Sequence, residues 1–174
     1  MRFGMNKSEI ILSAVKYFGR DAKRINHFMK VYGYAKTIGE LEHLNEREQD
    51  ILEVAAILHD IGIKISEEKY QSSAGKYQEL EGPPVAAVIL KKLEFPAPVT
   101  ERVAYLIGHH HTYDKIEGMD YQILVEADFL VNINEDGLDS SKQGLDSIRQ
   151  IKENIFKTKT GTKILESIYL SKVN

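Results

Sequence analysis

Apolar residues recur at helical spacing, three or four apart, along nearly the whole chain. Over Ser8 to Phe18 the stripe is Ile11, Leu12, Val15 and Phe18, and Gly19 ends it. Asp21 is the expected N-cap of a long second helix running to about Glu42. At about 100° per residue, its inner face carries His27, Val31, Tyr34, Ile38 and Leu41. Asn45, with Glu48 three residues on, has the form of a capping box and opens a third helix bearing Ile51, Leu52, Val54, Ala55, Ile57 and Leu58. The run AAILHDIGIK (Ala55 to Lys64) closes that helix, with Asp60 in the last turn and Gly62 as the stop. Ser66 to Lys76, polar and Gly/Ser-containing, is expected to be a surface loop.

Glu81-Gly82-Pro83-Pro84 has the form of a helix start, because proline is tolerated in a first turn. Val85, Val88, Ile89, Leu90 and Leu93 then make a buried fourth helix, and Phe95-Pro96-Ala97-Pro98 a linker. A fifth helix starts at Val99 or Thr100 and presents Val99, Val103, Leu106 and His110 inward; His109 points away and His111 lies at the edge. Asp120 is the expected cap of a sixth helix reaching about Ile133, with Leu124, Ala127, Asp128 and Val131 on one face. A polar stretch from Asn134 to Gly144 leads to two more amphipathic helices, about Leu145 to Phe156 and Gly161 to Leu170. These close the bundle or build an oligomer face. No useful segment alternates with the period of a strand. The pattern predicts an all-α single domain over residues 1–174, a bundle of about eight helices. Its core spans about 21–135, with flanking helices in 1–20 and 140–174.

Composition narrows the chemistry. A chain of 174 residues suits one domain and buries roughly 70% of its unfolded surface. The net charge of −3 leaves no basic footprint for long nucleic acid, although a small anionic metabolite is compatible with it. With no cysteine, any metal must be held by His, Asp or Glu. No apolar run approaches the ~20 residues of a membrane span, and MRFGMNKSEII lacks the long apolar core of a signal peptide. The expected setting is cytoplasmic, without membrane contact. Met5 is an alternative start, with Met1 to Gly4 an extension.

The chemistry sits on the inner faces. His27, His59, Asp60 and Asp128 occupy core-facing positions on three helices. Singly, a core histidine is most often hydrogen-bonded and a core aspartate paired with a basic residue. Together, with no Lys or Arg on those stripes, they would repel unless a cation lay between them. An ionised carboxylate out of water costs several kcal/mol, which a shared cation offsets. Two imidazole nitrogens and two carboxylate oxygens suit a divalent first-row metal.

These residues also carry a resemblance. His27, then His59-Asp60 in LHDIG, then Asp128 in EADFL resemble the H…HD…D pattern of the HD-domain superfamily of metal-dependent phosphohydrolases, over about Arg24 to Val131. The resemblance implies an all-α bundle and His27, His59, Asp60 and Asp128 as ligands of one or two divalent ions (Mn, Fe, Mg, Ni, Co or Zn). It implies hydrolysis of a phosphoester by a metal-bound hydroxide, with Asp60 orienting the water or taking its proton. The partner is then a small phosphorylated substrate, a nucleotide foremost, and a homodimer is compatible. Lys64, one residue later than in the HDIGK form, and Arg24, one turn before His27, are candidates to meet the phosphate.

The chain departs from the pattern at two places. Glu81 stands where two-metal members carry an added histidine, and His110, or a neighbour in His109 to His111, fits the second. Ile63 stands where nucleotidase-like members carry a glutamate, which leaves Glu67, Glu81 or His110 as the general acid. Two alternatives stay open: a di-iron oxygenase, and a non-catalytic nucleotide-sensing domain. His43, at the end of helix two, is expected to face solvent.

Overall fold

The computed structural model describes residues 6–171, so the alternative start at Met5 and the segment before it lie outside the described residues. Among the described residues nine α-helices follow one another: α1 (Lys7–Phe18), α2 (Ala22–Leu41), α3 (Glu46–Leu58), α4 (Ile63–Tyr70), α5 (Gly75–Lys92), α6 (Ala97–Ile107), α7 (Met119–Glu135), α8 (Lys142–Ile155) and α9 (Lys159–Leu165). A wider turn carries α9 on through Leu170. The described residues contain no strand.

Side-chain caps set several starts. Asp21 accepts from Arg24 N (3.2 Å), Asn45 from Glu48 N (2.9 Å) and Thr158 from Gly161 N (2.9 Å), each satisfying an amide that the helix itself leaves free. His43 lies just past α2, exposed and in the left-handed region (φ 58°).

The centre is a three-helix layer of α2, α3 and α7, with α3 also packed on α6. Every residue of α3 from Ile51 to Leu58 is buried, as is every residue of α7 from Asp120 to Asp128. A helix buried all round loses its solvent face; α3 accordingly reads as a near-continuous apolar run, whereas α7 buries Asp120, Gln122, Glu126 and Asp128 along with its apolar residues. Phe28, Val31, Ala35 and Ile38 of α2 meet them with no exposed surface. Helix α1 packs on α3, α5 on α6, and α4 on α5. Helices α8 and α9 pack on α7 and place Ile148 and Leu165 in the same core.

The structure corrects three expectations. The stretch after the HD pair is helical: α3 stops at Leu58, residues 59–62 turn, and Gly62 begins α4 rather than ending α3. The inner face of α4 is Ile63, Ser66 and Tyr70, and buried Ser66 donates its hydroxyl to Gly62 O at 2.8 Å. A serine in the middle of a short stripe hides its period. Secondly, α5 begins at Gly75, so Pro83 and Pro84 lie inside it. They deprive the Glu79 and Leu80 carbonyls of helix partners, while Gly82, lacking a Cβ, relieves crowding before a proline. Gly62 lets the turn after His59-Asp60 touch α5, since a Cβ there would lie 2.5 Å from Gly82 N. Thirdly, Asp120 does not cap α7. Gly118 (φ 82°) precedes the helix, and buried Asp120 takes two N–H bonds from Arg102 (2.9 and 2.7 Å), tying α6 to α7.

Candidate metal centre

Three helices deliver four donors to one point. His27 comes from the second turn of α2, His59 and Asp60 from the turn that ends α3, and Asp128 from the middle of α7. His59 still has helical dihedrals (φ −55°, ψ −40°), so its side chain continues the inner face of α3. Its Nδ1–H donates to Ala56 O at 2.8 Å, which turns Nε2 inward. His27 Nε2 lies 3.2 Å from His59 Nε2, 3.2 Å from Asp128 Oδ1 and 3.3 Å from Asp60 Oδ2. His59 Nε2 lies 3.4 Å from Asp60 Oδ2 and 3.5 Å from Asp128 Oδ1. Donors bound at about 2.0–2.2 Å to one divalent ion stand roughly 3 Å or slightly more from one another. The spacing therefore fits a shared cation. Because His59 Nδ1–H is given to Ala56 O and His27 Nδ1 faces Glu135, neither neutral ring carries a hydrogen on Nε2, so two Nε2 atoms at 3.2 Å are poor partners without a cation between them.

The electrostatics agree. Burial opposes charge on every member of the group, yet Asp60 is held well below the usual carboxylate range because the His59 and His110 imidazoles outweigh it. Asp128 is likewise lowered against burial, by His27 and His59. His59 is held well above the ordinary imidazole value because the Asp60 and Asp128 charges outweigh its burial. Positive charge is thus favoured between the two carboxylates. Protons supply it in the metal-free protein, and a metal ion would supply it more compactly.

A second group adjoins the first. Asp60 turns Oδ1 towards His110 Nε2 at 3.5 Å, and with His110 and His111 it forms a further set of converging donors. His110 Nδ1–H donates to Ile107 O at 2.8 Å. The buried Nε2 atoms of His110 and His111 have no hydrogen-bond partner among the described residues. Burial, then the neighbouring His110, lowers His111 to about 4, so it is neutral at pH 7. Glu79 of α5 fixes this turn by accepting from His111 N and the Thr112 hydroxyl, each at 3.0 Å.

Other candidates stand apart. Glu81 is occupied by Lys69 (2.9 Å) and the Tyr70 hydroxyl (2.8 Å); the early start of α5 takes it out of the first turn and brings Gln78 to the cavity wall instead. His109 donates to Tyr105 O and stacks on the Tyr105 ring, away from the centre. Lys64 reaches Tyr17 O (3.4 Å) and lies over the Tyr17 ring. Arg24 lines the cavity, but Asp21 and Glu67 already neutralise it, which also occupies Glu67.

His27, Asp60 and Asp128 open onto a cavity of about 420 Å³, with His59 buried behind them. Around it the structure shows residues that the sequence pattern does not single out. Lys23, one turn before His27, is an exposed cation on the cavity wall with no ion-pair partner among the described residues. Asn132 donates to Asp128 Oδ1 (2.9 Å), and Glu135 Oε2 accepts from His27 Nδ1 (2.8 Å). Asn132 and Glu135 lie four and seven residues after Asp128, a helical period that is visible in the sequence. Gln78 could not be found without the true start of α5.

Comparison with known proteins adds two findings. A family model described as "HD domain" matches residues 24–159. The fold is similar to that in the crystal structure of a predicted HD superfamily hydrolase from an uncultured Thermotogales bacterium. The TM-score is 0.68 at 22% sequence identity, covering 94% of this chain and 84% of that one. No curated protein matches the chain.

Proposed function

The chain belongs to the HD domain family, and from that premise we propose that it is a metal-dependent phosphohydrolase of a small phosphorylated metabolite, a nucleotide foremost. The observation that carries the reading is the convergence of His27, His59, Asp60 and Asp128 at 3.2–3.5 Å beside a cavity that His27, Asp60 and Asp128 line. The solved neighbour's own designation as a hydrolase agrees with it. The proposed setting is the cytoplasm; no helix among the described residues is long and apolar enough to cross a membrane.

A divalent ion held by His27, His59, Asp60 and Asp128 would lower the pKa of bound water from 15.7 towards about 7 and draw charge from a phosphoryl oxygen. The chain's own residues do the rest. The carbonyl of Ala56 and the carboxylate of Glu135 hold hydrogens on the Nδ1 atoms of His59 and His27, leaving Nε2 free to bind. Asp60, with one oxygen on the His27–His59 side and the other towards His110, orients the attacking water and takes its proton. The water oxygen bonds to phosphorus as the ester P–O bond breaks. His110, buried beside Asp60, is the group set to give a proton to the leaving oxygen. Lys23, without an ion-pair partner among the described residues, is the cation placed to meet the phosphate oxygens.

A second reading has its own observation. The orphaned Nε2 atoms of His110 and His111, beside Asp60 Oδ1, fit a second ion. Asp60, His110 and His111 would then hold that second ion, His110 would not be the acid, and the di-iron oxygenase alternative applies. Elemental analysis separates the readings: two irons per chain with oxygen uptake favour the oxygenase. For the hydrolase, the test is release of phosphate or nucleoside from a nucleotide and phosphodiester panel with added Mn²⁺. Asp60→Ala is expected to reduce turnover by about 10²–10⁴-fold. A folded, metal-loaded wild type inert towards every phosphoester would overturn the proposal.

A further inference from the structure

His27 is held unlike the other inward imidazoles. His59 and His110 lie just past helix ends, where each Nδ1–H finds a carbonyl three residues back, Ala56 O and Ile107 O, at 2.8 Å. His27 sits inside α2, where carbonyls are taken by the helix ladder. Its Nδ1 reaches across to Glu135, the last residue of α7, at 2.8 Å. The second Glu135 oxygen accepts from Lys30 at 3.1 Å, one turn after His27 on the same helix. The carboxylate is therefore fastened to α2 through both oxygens, with 16% of its side chain exposed. Along one face, α7 supplies Asp128, then Asn132 that donates to it, then Glu135.

We infer that Glu135 is the positioning residue of the centre: it fixes the hydrogen and ring plane of His27 so that Nε2 meets the metal ion. The inference rests on the metal reading above. An imidazole carrying its hydrogen on Nε2 cannot bind through that atom. A charged acceptor at Nδ1 excludes that tautomer and strengthens the Nε2 donor, and partners of this kind are worth about 10–100-fold in metal affinity. Lys30 and Glu135 could form an ion pair without His27, but such a pair gives Glu135 no reason to face Nδ1.

The test uses the full chain, stripped of metal and titrated with Co²⁺ by calorimetry and visible absorption. Glu135→Ala is expected to weaken binding by about 10–100-fold and to shift the Co²⁺ bands. Glu135→Gln keeps a carbonyl oxygen for Nδ1–H and is expected to recover most of the loss. Lys30→Met leaves the His27–Glu135 bond in place and is expected to stay within about fivefold of wild type. Independently of variant folding, the imidazole ¹H–¹⁵N spectrum of the Zn²⁺-loaded wild type should show His27 protonated at Nδ1. Wild type that binds no metal would overturn this inference together with the metal reading. Wild type that binds, with Glu135→Ala binding equally and showing the same bands, would overturn the positioning role alone. Equal losses in the Ala and Gln variants, or His27 protonated at Nε2, would also overturn it.

Discussion

At the residue scale, the proposed metal centre would exchange protons for a metal ion, and the exchange has a sign. In the metal-free protein His59 is raised well above 6.5: burial opposes this, and the Asp60 and Asp128 charges win. The stability it contributes is complete below 6.5 and lost as pH rises through the folded value. Asp60 and Asp128 are lowered from 3.8, so their contribution is present above 3.8 and lost as pH falls through the folded values. The metal-free cluster is therefore most stabilising from about 3.8 to 6.5. A metal ion needs the unprotonated imidazoles, so binding releases protons and strengthens with pH. The rise in Tm on adding saturating Mn²⁺ should therefore grow from pH 5.5 to 8, measured by thermal unfolding with and without the ion. A pH-independent increment would contradict this account. The same scale shows what could be read in advance. His27, His59, Asp60 and Asp128 were legible because each is a polar group on an apolar stripe. Glu135 was not, since a glutamate at a helix end reads as solvated until α2 is known to lie beside it.

At the element scale, the helices set by side-chain caps and unbroken apolar faces were legible: α2 behind Asp21 and α3 behind Asn45. Those set by tertiary contact were not. Helix α4 has a serine in its inner stripe, and α5 runs through two prolines because its crossing with the turn at Gly62 holds it in place. That crossing can be tested. A Cβ on Gly62 would meet backbone, Gly82 N at 2.5 Å and Gln78 O at 2.8 Å, which cannot rotate away. Gly62→Ala should therefore destabilise by about 1–3 kcal/mol, as overpacking does. Gly33 is the control: it lies inside α2, exposed, and a Cβ there would find no atom within 4 Å. Gly33→Ala should stabilise by about 0.5–1 kcal/mol through helix propensity alone. Urea unfolding of both variants checks the pair, and equal signs would refute the crossing argument.

At the scale of the whole molecule, α7 carries two separate networks on two faces. One is the centre, through Asp128, Asn132 and Glu135 facing α2. The other is Glu126, fully buried, which accepts from Gln122 Nε2 (2.7 Å), Lys157 N (2.7 Å) and Thr158 N (2.9 Å), and from the Thr158 hydroxyl. Thr158 in turn caps α9, so Glu126 fastens the C-terminal helices to the helix that presents Asp128. The sequence showed α8 and α9 as amphipathic but not their anchor, because a glutamate two residues before Asp128, about 200° round the helix, reads as a charge on the solvent face. Deleting Glu126 leaves buried amides without acceptors, a loss of about 2–4 kcal/mol. Glu126→Ala should thus lower the urea midpoint while the folded protein keeps wild-type Co²⁺ affinity. Glu135→Ala should do the reverse. If Glu126→Ala weakened metal binding as much as stability, the two faces would be one coupled unit, and the centre would depend on the closure of the whole bundle rather than on α2, α3 and α7.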